Sequence, residues 1–394
     1  MDWDSGLSYL NRQDVPDYVA MADVAPSIDY HGVTVGYHKL QRFAIPWLAG
    51  TVAKTTGVPI STSFCFLALL SALALLFLWN KQISKFKLSI FSYAFFVGLL
   101  ILNNYFFRYH AIVPGMAQGL IFLAGVSLCL IGLENKKSWT IFAGLLLGSL
   151  ARQTILLLLP GIMLWVAFEK DWAKKSKRFR LGLLLFFAFF TLGFYILSNI
   201  YASQFGIRSA NVDHILGVWT WTKEAIAVDP LSTVLLVLLE QTIRAFLPVL
   251  IVVIPFLVFV TLNWKYSWNK LNKVKLLSLA LSALLMISQP ILAGPWNTVN
   301  SGSRLGALGL LPALLMLAYV IEEMESKKVF FTTIEKFVLI VALIIYSLHH
   351  LYTWVGPSSV QYYFVFQLVS ILLVSAVILL KSLQFRTLVL KIER

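Results

Sequence analysis

The sequence predicts an all-α fold, a polytopic transmembrane bundle of about 11 helices with an external acidic head and interfacial helices at its amino terminus. Three observations predict it. The 394 residues are 59% hydrophobic and 13% charged, with a mean hydropathy of +0.80, where ordinary globular domains carry about a quarter charged residues. Uncharged apolar runs long enough for a hydrocarbon core of roughly 30 Å recur along the chain. Lys and Arg gather in alternate connections between those runs, as they do on the cytoplasmic side of membrane proteins.

In order, the spans are read at 61–79, 88–107, 111–133, 181–200, 245–262, 276–293, 305–321, 337–354 and 361–380, with a compressed pair at 138–151 and 153–168. Lys81, Lys85 and Lys87, Lys136 and Lys137, the run Lys170 to Arg180, Lys265 to Lys275, Lys327 and Lys328, and the tail from Lys381 to Arg394 belong on the cytoplasmic side. Alternation sets residues 1–60, the segment near 108–112, and residues 201–242, 294–304 and 355–360 outside. The chain therefore divides into an external head, 1–60, and one integrated membrane domain, 61–394. The net charge of +14 is mostly a topology signal. Scattered over short loops, it does not make a nucleic-acid surface. Cys65 and Cys129 lie inside apolar spans and read as small hydrophobes, with no disulfide or metal spacing. No repeat of 20–50 residues is visible, which argues against a channel built from repeats.

The pair 138–151 and 153–168 is flanked by basic residues on both sides, so it must cross an even number of times. Halves of 14 and 16 residues reach only about 21–24 Å at 1.5 Å per residue. A tight hairpin is expected, with Ala151-Arg152-Gln153-Thr154 as an apex below the outer surface, facing protein or a wet cavity. A single tilted helix with Arg152 snorkelling to the interface is the plainer alternative.

Six of the eighteen carboxylates fall in the first 29 residues: Asp2, Asp4, Asp14, Asp17, Asp23 and Asp29. Carboxylates beside a bilayer are costly to hold, so a cluster on one face points to chemistry. The longest uncharged stretch before residue 61 is Phe43 to Ala53, too short for a signal peptide. An external head with no span before it leads to the expectation that an upstream helix is missing from this chain. Within the head, Asp14-Val15-Pro16-Asp17-Tyr18 is a helix start. Asp14 can cap it, Pro16 has its φ preset, and Asp17 falls three residues after the cap. Both carboxylates therefore have a structural explanation, yet Asp14 and Tyr18 are one turn apart and share a face. The stretch Tyr37 to Ala49 is aromatic, basic and amphipathic, suited to a helix along the membrane surface with Arg42 toward headgroups or a lipid phosphate.

Three of these segments, in this order, resemble the GT-C superfamily of polytopic glycosyltransferases, which use polyprenyl-phosphate-linked sugars. Asp14-x-x-Asp17-Tyr18 resembles the acid-containing first external loop of that superfamily. Arg42-Phe-Ala-Ile-Pro46-Trp-Leu-Ala49 is similar to its entry into the next helix, and Gly148-Ser-Leu-Ala-Arg152-Gln-Thr154 to an early element of its bundle. The resemblance covers about 150 residues; the rest is similar only in topology. This chain departs from the pattern in having no span before the acidic loop and in separating its two acids by three positions.

The resemblance implies transfer of a hexosyl or pentosyl group from a polyprenyl-phosphate donor to a glycan, lipid or protein acceptor, in a bacterial inner membrane with the active face periplasmic. Such transfer develops an oxocarbenium-like centre, needs a base for the acceptor hydroxyl, and needs positive charge on the departing phosphate. Asp14 is the expected base and Asp17 its orienter. Together they are also candidate ligands for a divalent metal, Mg or Mn. Tyr18, Arg42, Arg108, His110, Arg152, Trp296 and Arg304 are the candidate substrate-binding residues. Guanidinium groups suit phosphate by bidentate bonding. Arg152 and Arg304 rank first because no acidic residue is near them in sequence, whereas Glu240 and Arg244 are spaced to pair. Trp219 and Trp221 read as interfacial belt. An O-antigen polymerase or ligase, or a flippase or transporter of lipid-linked saccharides, is the alternative. The first depends on large Arg-rich external loops, and the second predicts mid-membrane charges and inverted repeats.

Overall fold

The computed structural model describes residues 15–103, 109, 113–206, 217–266, 271–295, 302–353 and 360–392. Over these residues the chain is all-helical. The head comprises α1 (Val15–Val24), α2 (Tyr37–Leu40) and α3 (Ala44–Thr56). The bundle follows as α4 (Ile60–Ile83), α5 (Ile90–Ile101), α6 (Pro114–Asn135), α7 (Ser138–Ala151), α8 (Gln153–Phe168) and α9 (Lys177–Phe205). It continues through α10 (Gly217–Val228), α11 (Leu231–Leu262), α12 (Lys273–Ala293), α13 (Gly302–Ser326), α14 (Thr333–Thr353) and α15 (Val360–Ile392). Seven of the described helices, α4, α6, α9, α11, α12, α13 and most of α15, are long and apolar enough to cross a membrane. The chain is a multi-pass membrane protein. Helices α6 and α13 are buried along nearly their whole length and form the centre. Helices α4 and α9 turn Phe66, Leu69, Leu73, Phe77, Leu185, Phe189 and Leu197 outward, a surface that costs nothing in lipid.

The Lys-bearing connections meet at one end of the bundle. Lys85 Nζ donates to Asn135 Oδ1 at 2.7 Å, Lys87 N to Glu322 Oε1 at 2.9 Å, and Lys275 Nζ to Glu134 Oε2 at 2.8 Å. Glu325, buried at the same end, accepts from Ser89 N and from the hydroxyls of Ser89 and Ser92 at 2.6–2.7 Å. It thereby fixes the start of α5, whose own cap is Ser89. Ser176 caps α9 and Asn272 caps α12 here in the same way. Residues 15–57 cover the opposite end, because α4 runs from one to the other over 24 residues, about 36 Å.

Several boundaries differ from the sequence reading for electrostatic reasons. The span read at 245–262 begins at Leu231, behind Pro230. Glu240 and Arg244 do not end it because they pair with each other at 2.5 Å along the helix. The last span does not stop at 380 but runs to Ile392. Lys381, read as the start of a cytoplasmic tail, is 1% exposed and paired with Glu335 Oε2 at 2.7 Å. Among the described residues the second span is helical over Ile90–Ile101, and the surface stretch is broken between α2 and α3 at residues 41–43.

Helices α7 and α8 make the hairpin. Arg152 is extended (φ −159°, ψ 137°) and separates α7 from the 3-10 start of α8. The two feet lie together at the Lys-bearing end: Lys136 Nζ reaches Asp171 Oδ2 at 3.0 Å, and Trp172 Nε1 donates to Leu133 O at 3.1 Å. The ascending arm is locked onto α6 by glycines. A Cβ at Gly125, Gly132 or Gly144 would come within 2.5–2.8 Å of backbone atoms across the interface, the close approach that small residues allow in lipid. Hydrogen bonds from Lys174, then from Lys136, hold the Asp171 carboxyl down at about 2. A carboxylate lowered on folding stabilises the fold above its ordinary value of 3.8, and that contribution is lost as pH falls through about 2. Asp171→Asn should therefore lower the thermal midpoint at pH 6 by a margin that shrinks below pH 4 and vanishes near pH 2. A margin that stays constant across that series would contradict the assignment.

Candidate functional site

The head is packed by its own apolar cluster. Val15, Tyr18, Met21 and Ala22 of α1 join Tyr30, Val35, Tyr37, Leu40 and Ala49, and the cluster is sealed from the bundle by Phe64, Val113, Met116 and Ala202. Helices α1 and α3 touch backbone to backbone, since a Cβ at Gly50 would lie 1.9 Å from Ala22 O. This packing aims polar side chains inward. Tyr18 is fully buried, and its hydroxyl accepts from Arg42 Nη1 at 3.2 Å. Arg42, expected toward headgroups or a lipid phosphate, reaches in beneath α1, and its buried Nε has no hydrogen-bond partner among the described residues. Asp17 is part-buried and does not serve α1. Its Oδ2 takes Lys39 Nζ at 2.9 Å and Gly36 N at 3.2 Å.

The hairpin apex meets the head directly. Gln153 Nε2 donates to Gln41 O at 3.0 Å, while Gln41 Nε2 and the Tyr37 hydroxyl both donate to Asn199 Oδ1 of α9, at 2.5 and 2.6 Å. Arg152 is 2% exposed at this junction. The apex thus lies under the α2–α3 turn, as the short arms require: 14 residues in α7 reach about 21 Å against roughly 30 Å of hydrocarbon. The plainer alternative, a single tilted helix, is set aside by the two feet lying together. On the far side of the head, Arg304 Nη1 donates to the Tyr109 hydroxyl at 2.6 Å, with its guanidinium 5.2 Å from that ring centre. Tyr109 in turn packs on the head cluster.

Asp17, Tyr18, Arg42, Arg152 and Arg304 are therefore gathered at the end of the bundle that the head covers. Asp2, Asp4, Asp14, Arg108, His110 and Trp296 lie outside the described residues. Asp23 and Asp29 are exposed. Asp29 accepts from the His31 amide, which with the His31 ring at 2.5 Å holds its carboxyl below the usual range. Burial pushes the Tyr30 phenol up to about 12, so it stays protonated at neutral pH. Trp219 is exposed with Lys223 Nζ 5.2 Å from its ring centre. No group of three or more His, Cys, Asp or Glu converges among the described residues, and Asp17 Oδ2 is paired with Lys39. Asp14, the other carboxylate of the expected metal pair, lies outside the described residues. Sequence reasoning missed Lys39, Gln41, Asn199 and Tyr109, whose partners lie 22 to 195 positions away. It also missed Gln118, a single amide in an apolar span, buried with neither amide atom hydrogen-bonded among the described residues.

The chain matches no family model, no curated protein and no solved structure.

Proposed function

We propose that this protein is an integral-membrane glycosyltransferase that moves a sugar from a polyprenyl-phosphate carrier to a glycan, lipid or protein acceptor. The reaction takes place at the end covered by the head, periplasmic in a bacterial inner membrane. The observation that carries this reading is that Arg42, beneath α1, and the buried apex bearing Arg152, under the α2–α3 turn, are joined through Gln41 and Gln153. Arg42 Nε is buried with no hydrogen-bond partner among the described residues, a costly state that an anion would relieve, and a carrier phosphate is an anion delivered by the membrane itself.

In this reading the acceptor oxygen bonds to the anomeric carbon while the bond from that carbon to the phosphate oxygen breaks. The hydroxyl proton passes to the carboxylate of Asp14, and polyprenyl phosphate leaves with the bonding pair, its growing charge met by Arg42 and Arg152. Asp17, already held by Lys39 and Gly36, fixes the turn that presents Tyr18 and serves as a positioning residue. The test uses the full chain in liposomes with short-chain polyprenyl phosphates carrying glucose, mannose, galactose or arabinose. Transfer is expected with at least one donor, and Asp14→Asn should reduce it by about 10²–10⁴, because Asn keeps the capping ability but not the base. Full transfer by both Asp14→Asn and Asp17→Asn would remove the catalytic assignment.

A further inference from the structure

We propose that Gln118 is a sugar-binding residue, reading hydroxyl groups of the donor sugar between the start of α1 and the hairpin apex. The inference rests on the glycosyl-transfer reading and names the group that recognises the sugar as opposed to its carrier.

Three observations lead to it. The first is chemical. Gln118 is 1% exposed, and neither its Nε2 nor its Oε1 has a hydrogen-bond partner among the described residues. Buried amides are nearly always satisfied, so one with both ends open calls for a missing partner. The second is its direction. Across the α6–α7 interface, residue 125 lies opposite 148, 129 opposite 144 and 132 opposite 141. That contact face of α6 recurs every three or four residues, and continuing it upward passes through 121 to 118. The same antiparallel register sets 121 level with 152, where α7 ends. Gln118 therefore lies on the face of α6 turned toward α7, one turn beyond the level of Arg152. The third is its surroundings. Gly115, one turn further up, packs against Val15 at the start of α1, with a Cβ there only 3.0 Å from Val15 Cγ1. Ser149 Oγ, one turn below Arg152, is also buried without a partner among the described residues.

The pattern of open valences selects the ligand. A phosphate offers acceptors only, so it would serve Nε2 and leave Oε1 facing negative charge. Neighbouring sugar hydroxyls both donate and accept, and so satisfy both ends of an amide at once. The carrier phosphate is left to the guanidinium groups and the sugar to Gln118.

The experiment measures binding to the full chain in detergent of two probes: short-chain polyprenyl phosphate, bare, and the same carrier bearing the sugar that supports transfer. Gln118→Leu should bind the sugar-bearing probe about tenfold more weakly and the bare probe as the parent does. Gln118→Glu, which keeps the acceptors and loses the donor, should fall between. Neither an empty-site thermal midpoint nor folding yield should drop for Gln118→Leu, because an unsatisfied amide replaced by an apolar side chain is neutral or stabilising. Equal affinity of parent and Gln118→Leu for both probes, or equal weakening for both with a lower midpoint, overturns the proposal in favour of an ordered water or a structural amide. A parent that binds the bare carrier and not the sugar-bearing one overturns it as well. A parent that binds neither probe removes the polyprenyl-phosphate reading itself, and this proposal with it.

Discussion

Gly50→Ala is expected to lift α1 off the bundle and take the candidate site with it. The added methyl would sit 1.9 Å from Ala22 O, 2.7 Å from its carbonyl carbon and 2.8 Å from its Cα. All three are backbone atoms, so no side-chain rotation relieves the clash and the helix itself must move. Overpacking typically costs about 1–3 kcal/mol, and a rigid obstacle puts this case at the upper end. Helix α1 is only ten residues long and is held by one apolar face, so such a cost is enough to open it locally while the spans stay folded. A thiol introduced at Met21, fully buried in the parent, should label at least tenfold faster in the Gly50→Ala background, tenfold corresponding to about 1.4 kcal/mol of opening. Gly182→Ala in α9, where a Cβ meets nothing within 4 Å, should leave that rate alone. Equal labelling in all three proteins would show that the head does not depend on this contact.

Glu335→Gln should destabilise the bundle by about 3–5 kcal/mol, the cost of leaving a buried charge without its counter-ion. Lys381 has only 2% of its side chain exposed and Glu335 12%, with Nζ and Oε2 2.7 Å apart. Lys381 keeps one bond to Gln384 Oε1 at 3.0 Å, which does not neutralise it. The substitution isolates the charge because Glu335 has a second task that Gln can perform. With Thr332 it forms a reciprocal cap at the start of α14: Thr332 N donates to Glu335 Oε2 at 2.7 Å, and Glu335 N to Thr332 Oγ1 at 3.4 Å. Pairing Glu335→Gln with Lys381→Met should restore most of the loss, since an uncharged pair of similar volume needs no counter-ion. Thermal unfolding in detergent reads both. A single variant as stable as the parent would mean that water reaches Lys381.

Those two charges also mark what the amino-acid string conveys and what it hides. Spans are legible because lipid imposes one simple requirement, an apolar run of sufficient length. The limits 138–151 and 153–168 coincide with α7 and α8 for that reason, Arg152 and the flanking lysines being the only interruptions. The same rule misjudged Leu231 and Lys381, because a charge ends an apolar run on paper but not where a partner neutralises it. Glu240 is close enough in sequence to be foreseen as the partner of Arg244; Glu335 lies 46 positions from Lys381 and belongs to another helix. The candidate site divides in the same way. Residue types and the order of motifs pointed to Asp17, Tyr18, Arg42 and Arg152, which the fold gathers at one end. The partners that determine their roles, Lys39 for Asp17 and Gln41 for the apex, depend on turns that local patterns do not encode. Gln118 was silent because an amide in a hydrophobic run resembles filler until its contact face is known.

The glycine contacts between α6 and α7 have a geometric consequence. With the two backbones pressed together, the ascending arm cannot stretch or slide, so the residue count between Lys137 and Arg152 acts as a ruler for the guanidinium. Each inserted residue would raise it by about 1.5 Å and swing it by about 100°. Depth in the bilayer and the compass bearing of that cation are set together, by a length of chain.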